Sequence, residues 1–263
     1  MQSFIDNLFN LENKNIIILG GSGHLCSEFC EAFIRCGSNV FILDKSSKKN
    51  KSLIRKLKDL SENNNQIIKS YVLDTTKRSQ QFKVYKNIKT KIKKIDVLIN
   101  GAGINNASDF LNIKLQDWHH VINSHLQSAF ISCQLFGKDM IKQKSGSIIN
   151  ISSMSSNPPL SKAFAYSVAK SGLSNLTKNL SREWGKFNVR VNALRPGFFP
   201  TKWNTKNFID NKRKNNIFNH TPMKRFGNPK ELVGAVIWLA SDSSKFVTGS
   251  EITVDGGFSA QSI

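Results

Sequence analysis

Tyr166 and Lys170 are four residues apart in Tyr166-Ser167-Val168-Ala169-Lys170, at the start of a stretch with helical patterning. That spacing puts both side chains on one helix face. A phenol with a pKa of about 10 exchanges protons poorly at neutral pH. A neighbouring ammonium favours its ionised form and brings it toward the working range of a general acid or base. Ser153, 13 residues before Tyr166, follows the apolar run Ile148 to Ile151. At a strand end its hydroxyl is positioned to polarise a substrate oxygen. The chemistry implied is proton transfer to or from a carbonyl or alcohol.

A second group of residues fits a phosphate-bearing cofactor. The first apolar run leads into Gly20-Gly21-Ser22-Gly23-His24-Leu25-Cys26 and then a helical pattern. A strand, a glycine-rich turn and a helix in that order aim backbone N–H groups at a phosphate. The second run ends at Asp44, about 20 residues beyond the turn, where a carboxylate can accept hydrogen bonds from ribose hydroxyls. An Asp there repels a 2′-phosphate, which favours NAD(H) over NADP(H), while Lys45 beside it offsets part of that repulsion. A strand-end turn or helix cap is the plainer reading of Asp44.

These residues need a rigid frame, and the apolar pattern supplies one. Runs at Ile16 to Leu19, Val40 to Leu43, Ile67 to Leu73, Val97 to Ile99, Ser147 to Ile151, Val189 to Leu194 and Glu251 to Val254 alternate with amphipathic helical stretches. Continuous apolar strands between helices predict an α/β fold: one Rossmann-type, doubly wound parallel sheet of seven strands with helices on both faces. The 263 residues suit a single domain over 1–263. The polar, low-pattern segment 200–220 reads as an insertion over the sheet, a candidate substrate lid.

Composition narrows the class further. Apolar residues make up 39%, no run is long enough for a membrane helix, and Met1 to Asn13 carry Asp6 and Glu12 but no basic start. The four cysteines (Cys26, Cys30, Cys36, Cys133) lack metal spacing, and the first three fall on one helix as small buried residues, so a soluble cytoplasmic protein with reduced thiols is expected. The net charge of +20 is concentrated in residues 45–95, with 16 basic against 3 acidic side chains. Such a field attracts anionic ligands or an acidic protein. Helical interleaving with Leu53, Ile54, Leu57 and Leu60 reads instead as a wet helix face, and without aromatic residues among the lysines a nucleic-acid site is not expected.

Taken together, the motifs resemble the short-chain dehydrogenase/reductase family over nearly the whole chain. The match comprises the glycine turn, Asp44, Asp74, Asn100-Gly101-Ala102-Gly103, Ser153, Tyr166 and Lys170, Pro196-Gly197 with Thr201, and Val254-Asp255-Gly256-Gly257. The resemblance implies an NAD(P)-dependent oxidoreductase and a homodimer or homotetramer, with Gly227 to Ala240 and the last strand at its interfaces. Tyr166 would carry the proton, Lys170 would hold the nicotinamide ribose and lower the tyrosine pKa, and Ser153 would orient the substrate. Gly20, Ser22, Gly23, His24 and Leu25 would lie along the pyrophosphate. Asp74 and Thr75 would lie by the adenine, Asn100, Ala102 and Gly103 by the adenosine ribose, and Pro196, Gly197 and Thr201 near the nicotinamide.

Leu19, His24 and Cys26 stand where that family has Thr, Gly and Gly, with Gly23 one place early. A perturbed loop path or cofactor affinity is the expectation there. His125 stands where the family has an Asn that holds a relay water. It can hold that water or carry a proton, or it can be a structural histidine bonded to backbone.

Leu194 to Pro200 with Asn204, His220 to Gly227, and Asp255 to Ala260 resemble the D-mannonate oxidoreductase (fructuronate reductase) branch. Ile104-Asn105-Asn106-Ala107 departs from that branch's Gly-Asn-His-Pro run. The expectation is a secondary hydroxyl/ketone interconversion on a small polar, acidic sugar derivative. Asn105, Arg195 and Lys202 are candidate anion contacts, with structural or solvated roles open for the two cations. The alternatives are a 3-oxoacyl-carrier-protein reductase and an impaired scaffold or nucleic-acid-binding protein.

Overall fold

The computed structural model describes residues 4–62, 65–201, 204–205 and 209–261. Seven strands form one parallel sheet among them: β1 (Asn15–Leu19), β2 (Asn39–Asp44), β3 (Ile68–Val72), β4 (Val97–Asn100), β5 (Gly146–Ile151), β6 (Val189–Pro196) and β7 (Glu251–Val254), in the order β3-β2-β1-β4-β5-β6-β7. Every apolar run read from the sequence is a strand. The helices are α1 (Phe4–Leu8), α2 (Cys26–Arg35), α3 (Ser47–Leu60), α4 (Arg78–Lys89), α5 (Leu115–Ile122), α6 (Ser128–Lys142), α7 (Phe164–Trp184), α8 (Asn211–Asn219) and α9 (Val233–Ala240).

Strand residues alternate between two cores. Ile16 and Ile18 pack with α2 and α9 on one face, through Phe29, Phe33, Val236 and Leu239. Ile17 and Leu19 pack on the other with α4 and α6, through Ile88, Ile131 and Phe136. Both faces are covered, so the strands are apolar throughout, and β1 from Ile16 to Leu19 is fully buried. The strand order reverses between β1 and β4. Ligands of such sheets bind beyond the carboxyl ends of the strands at that reversal, where the glycine turn after β1 and Asn100-Gly101-Ala102-Gly103 after β4 meet.

Three sequence expectations need correction. The segment 200–220 is not patternless: α8 occupies its second half, capped by the Asp210 carboxylate, which accepts from Arg213 N at 2.6 Å. Its only buried residue is Ile217, too little apolar signal to give a stripe. Cys36 is not a buried helix residue but caps the end of α2 and is partly exposed. An aromatic ring does stand among the lysines, since Phe82 is exposed and Lys86 Nζ lies 4.6 Å above it. The amphipathic reading of α3 holds, with Leu53 and Leu57 inward. No described helix is long and apolar enough to cross a membrane.

Candidate active site

The helix that starts as α5 and continues as α6 is interrupted by a π-helical turn, Asn123–Gln127, and His125 sits on it. Such turns are rare and frequent at functional sites. The His125 ring is 5% exposed, and its Nε2 lies 2.8 Å from the Ile104 carbonyl oxygen. A carbonyl only accepts, so Nε2 carries the proton and Nδ1 presents a lone pair. Nδ1 is buried and has no protein partner among the described residues. Burial, then repulsion from Lys170, holds the imidazole pKa well below 6.5, opposed by the Ile104 bond. His125 is thus a neutral side chain with one nitrogen anchored and the other buried against Gly103.

Tyr166 and Lys170 lie near the start of α7. The phenol ring meets His125 edge to face, with centroids 5.2 Å apart. Lys170 Nζ is 5.3 Å from the Tyr166 centroid and donates to the Ile151 carbonyl at 2.6 Å. That bond ties the lysine to the end of β5, two residues before Ser153. Ser153 Oγ accepts from Ser155 N at 3.2 Å and Ser155 Oγ at 3.1 Å. The expected lowering of the phenol pKa by Lys170 is outweighed in this geometry by burial. Burial raises the Tyr166 pKa, opposed by a hydrogen bond with Ser153. Burial also lowers the Lys170 pKa to about 7, opposed by Cys26.

A pocket of about 410 Å³ brings these groups together. Ser153, Tyr166, Lys170 and His125 line it, as do Leu25, Gly103, Pro196 and Gly197 from the expected cofactor set and Asn105 from the expected substrate set. Sequence reasoning missed Lys162 and Arg213, which also line it, as does Asn204, noted from the sequence only for the branch resemblance. Arg195 is not part of its wall. Its Nε and Nη2 donate to the carbonyls of Ser153 (3.4 Å) and Met154 (3.2 Å), and Nε lies 3.4 Å from Glu251 Oε2. Glu251 also pairs with Lys178 at 2.8 Å and accepts from Ser174 Oγ at 3.1 Å. Arg195 therefore fastens the serine loop from behind. The period of two along β6 was the available signal, since it sets Arg195 on the face of Val189 and Val191. Lys202 lies outside the described residues. Thr201 faces Asn204, with Oγ1 to Oδ1 at 2.5 Å, rather than the pocket.

The expected cofactor residues lie along the carboxyl ends of β1 to β4, and three observations fit a dinucleotide. First, α2 follows the glycine turn directly and has no side-chain cap, the arrangement that sets a helix N-terminus at an anion. Second, Ser22 Oγ in the turn is buried without a partner among the described residues. Third, at Gly20 (φ +71°) a Cβ would come within 2.7 Å of the Ala102 backbone, so the two loops cross closely.

The departures at 24 and 26 prove compatible with the turn. His24 is exposed and not at positive φ, so glycine is not required there. The Cys26 thiol occupies the space above Gly101, where a Cβ would come within 2.3 Å of Sγ. Asp44 Oδ1 accepts from Ser46 N at 3.0 Å, so the turn reading of that residue is present too. Asp74 Oδ1 accepts from Thr76 N at 2.9 Å, and the Thr75 carbonyl accepts from Gln81. The Asn100 side chain is buried in sheet packing: its Nδ2 donates to Asn150 Oδ1 at 2.8 Å and its Oδ1 accepts from Ser132 at 2.5 Å. Only its backbone faces the cofactor end.

A doubly wound sheet with this cradle and a Ser, Tyr and Lys beside it defines a nicotinamide-dependent oxidoreductase. The comparisons agree. A family profile described as "Enoyl-(Acyl carrier protein) reductase" matches residues 25–259. The chain is 35% identical to the uncharacterized oxidoreductase UxuB of Bacillus subtilis, over 96% of this chain and 97% of that one. It is 34% identical to the 3-oxoacyl-[acyl-carrier-protein] reductase FabG of Thermotoga maritima, over 94% and 98%. It is 33% identical to the 2-dehydro-3-deoxy-D-gluconate 5-dehydrogenase of Formosa agariphila, over 97% and 96%. The crystal structure of a gluconate 5-dehydrogenase from Burkholderia cenocepacia with NADP and tartrate superposes with a TM-score of 0.90 at 27% identity, over 97% of this chain and 99% of that one. The chain belongs to the short-chain dehydrogenase/reductase family, NAD(P)-dependent enzymes acting on CH–OH groups. A neighbour with bound NADP gives no support to ranking NAD first.

Proposed function

We propose that this enzyme interconverts a secondary hydroxyl and a ketone on a small acidic sugar derivative of the D-mannonate/D-fructuronate type. The observation that carries the reading is the pocket itself. Ser153, Tyr166, Lys170 and His125 share one wall system with Asn105, Asn204 and Arg213. Those polar side chains suit a hydroxylated anion better than an acyl chain. Relatives named for sugar-acid dehydrogenation support it.

In the reducing direction, the substrate carbonyl oxygen sits between the Ser153 and Tyr166 hydroxyls, both of which donate to it. Pro196 and Gly197 on the pocket wall would hold the nicotinamide ring, which would supply the hydride when the cofactor is bound. Tyr166, kept neutral by burial, gives its proton to the developing alkoxide. Lys170, fixed by Ile151, stabilises the phenolate left behind. His125, held by the Ile104 carbonyl and packed against Gly103 and the Tyr166 ring, positions the phenol. Asp44 selects NAD(H) by accepting from the ribose hydroxyls. The 410 Å³ volume must hold nicotinamide and substrate together, which also suits a small molecule.

Following NADH and NADPH oxidation with D-fructuronate, an uncharged ketose and an acetoacetyl thioester tests the reading. The expected result is turnover of the keto acid well above the other two. Activity confined to the thioester would replace it with the carrier-protein reductase alternative, which the FabG relatives keep in view.

A further inference from the structure

Arg195 is not on the pocket wall and Lys202 lies outside the described residues; the structure offers another cation. We infer that Arg213, on the first turn of α8, is the seat of the substrate carboxylate, an assignment that rests on the sugar-acid reading above. Arg213 lines the catalytic pocket and also a second, outer cavity of about 630 Å³, so it stands in the partition between the reacting centre and the outside. Its side chain is partly buried. It forms no ion pair with a carboxylate among the described residues, and its Nη2 donates to the Ser161 carbonyl at 3.3 Å.

That single bond orients a planar fork with five N–H donors, leaving most of them for a ligand. The other cations on the wall among the described residues are committed. Lys170 is bonded to Ile151, and Lys162 Nζ is paired with Asp109 at 3.3 Å. Ser161, which steadies the guanidinium, lies five residues before Tyr166 on the turn leading into α7. The arginine is therefore tied to the same segment that carries the proton donor. A guanidinium held this way can take a carboxylate through two parallel charge-assisted bonds, which a lysine cannot do. Such a contact fixes the far end of a short acid and leaves its ketone at Tyr166.

The test compares D-fructuronate with its neutral methyl ester in wild type, Arg213→Met, Arg213→Lys and Lys212→Met, the last removing a neighbouring charge on the same helix. In wild type the acid should be preferred in kcat/KM. Arg213→Met should lower the acid-to-ester ratio by about 50-fold, within the range of a charge-assisted pair. The lysine variant should recover part of it, and Lys212→Met should keep the wild-type ratio. Calorimetric titration of NADH-saturated protein with D-gluconate should show the same ranking without turnover. A ratio unchanged in Arg213→Met, or lowered as much by Lys212→Met, overturns the assignment while leaving the sugar-acid reading intact. Wild-type activity on thioesters alone removes both.

Discussion

Alanine at position 103 would place a methyl group 1.8 Å from Cε1 and 2.0 Å from Nδ1 of His125. Carbon contacts relax to about 3.5–4 Å, so the ring would have to retreat by roughly 1.5–2 Å. It has little room. Nε2 is held by the Ile104 carbonyl at 2.8 Å, and the Tyr166 ring lies against it at 5.2 Å between centroids. Overpacking of this kind costs about 1–3 kcal/mol, and losing the Ile104 bond adds about 1 kcal/mol. Gly103→Ala should therefore lower stability by about 2–4 kcal/mol and reduce turnover by displacing Tyr166. Removing the ring removes the obstruction. In a His125→Ala background the same glycine change should cost less than about 1 kcal/mol, a coupling of at least about 1 kcal/mol between the two positions. Urea unfolding of the four proteins, with m values compared to check the two-state assumption, measures that cycle. Additive losses would show that the His125 ring does not occupy this space and would remove the packing argument for its orientation.

Tyr166→Phe should keep nicotinamide affinity near wild type while kcat falls by about 100-fold or more, the contribution typical of a general acid; near-normal turnover would exclude the phenol from proton transfer. Stability should depend on pH at both ends. The unfolded chain protonates His125 below about 6.5 while the folded one resists, so stability drops as acid is added. Unfolded Lys170 keeps its proton to about 10.5 while the folded one loses it at about 7, so stability rises with pH across that interval, by at most about 1.4 kcal/mol per pH unit. His125→Asn should flatten the acid limb and Lys170→Met the alkaline one; unchanged curves would deny the burial effects. Asp44→Ala should weaken NADH binding by about tenfold or more and narrow its margin over NADPH, read by calorimetry. Equal wild-type affinities, untouched by the substitution, would return Asp44 to its turn.

The sheet was legible because strands buried on both faces must be apolar at every position, and Ile16–Leu19 or Val97–Ile99 leave no other reading. The Tyr166 and Lys170 pairing was legible because spacing on a helix converts directly to geometry. What escaped depends on direction in space. Asp210 and Ile217 are thin evidence for α8, so Arg213 went unnoticed among the lysines of a polar segment. Arg195 ends a strand beside a glycine turn and reads as a site residue until its parity along β6 is counted. Asn100 looked like a ribose contact, but its amide is taken up by Asn150 and Ser132 inside the sheet. The π turn under His125 has no one-residue signature, since it is an extra residue accommodated by a helix packed on both sides.

The fastening of the Ser153 loop by Arg195 and Glu251 has an evolutionary consequence. The guanidinium is largely withdrawn from solvent, and a buried cation that loses its carboxylate is strongly destabilising, whereas an apolar replacement of both partners is tolerated. Drift at either position alone should be punished, while paired exchange should pass. Aligned descendants of this chain should show positions 195 and 251 changing in step, one on β6 and one on β7, although neither lines the pocket.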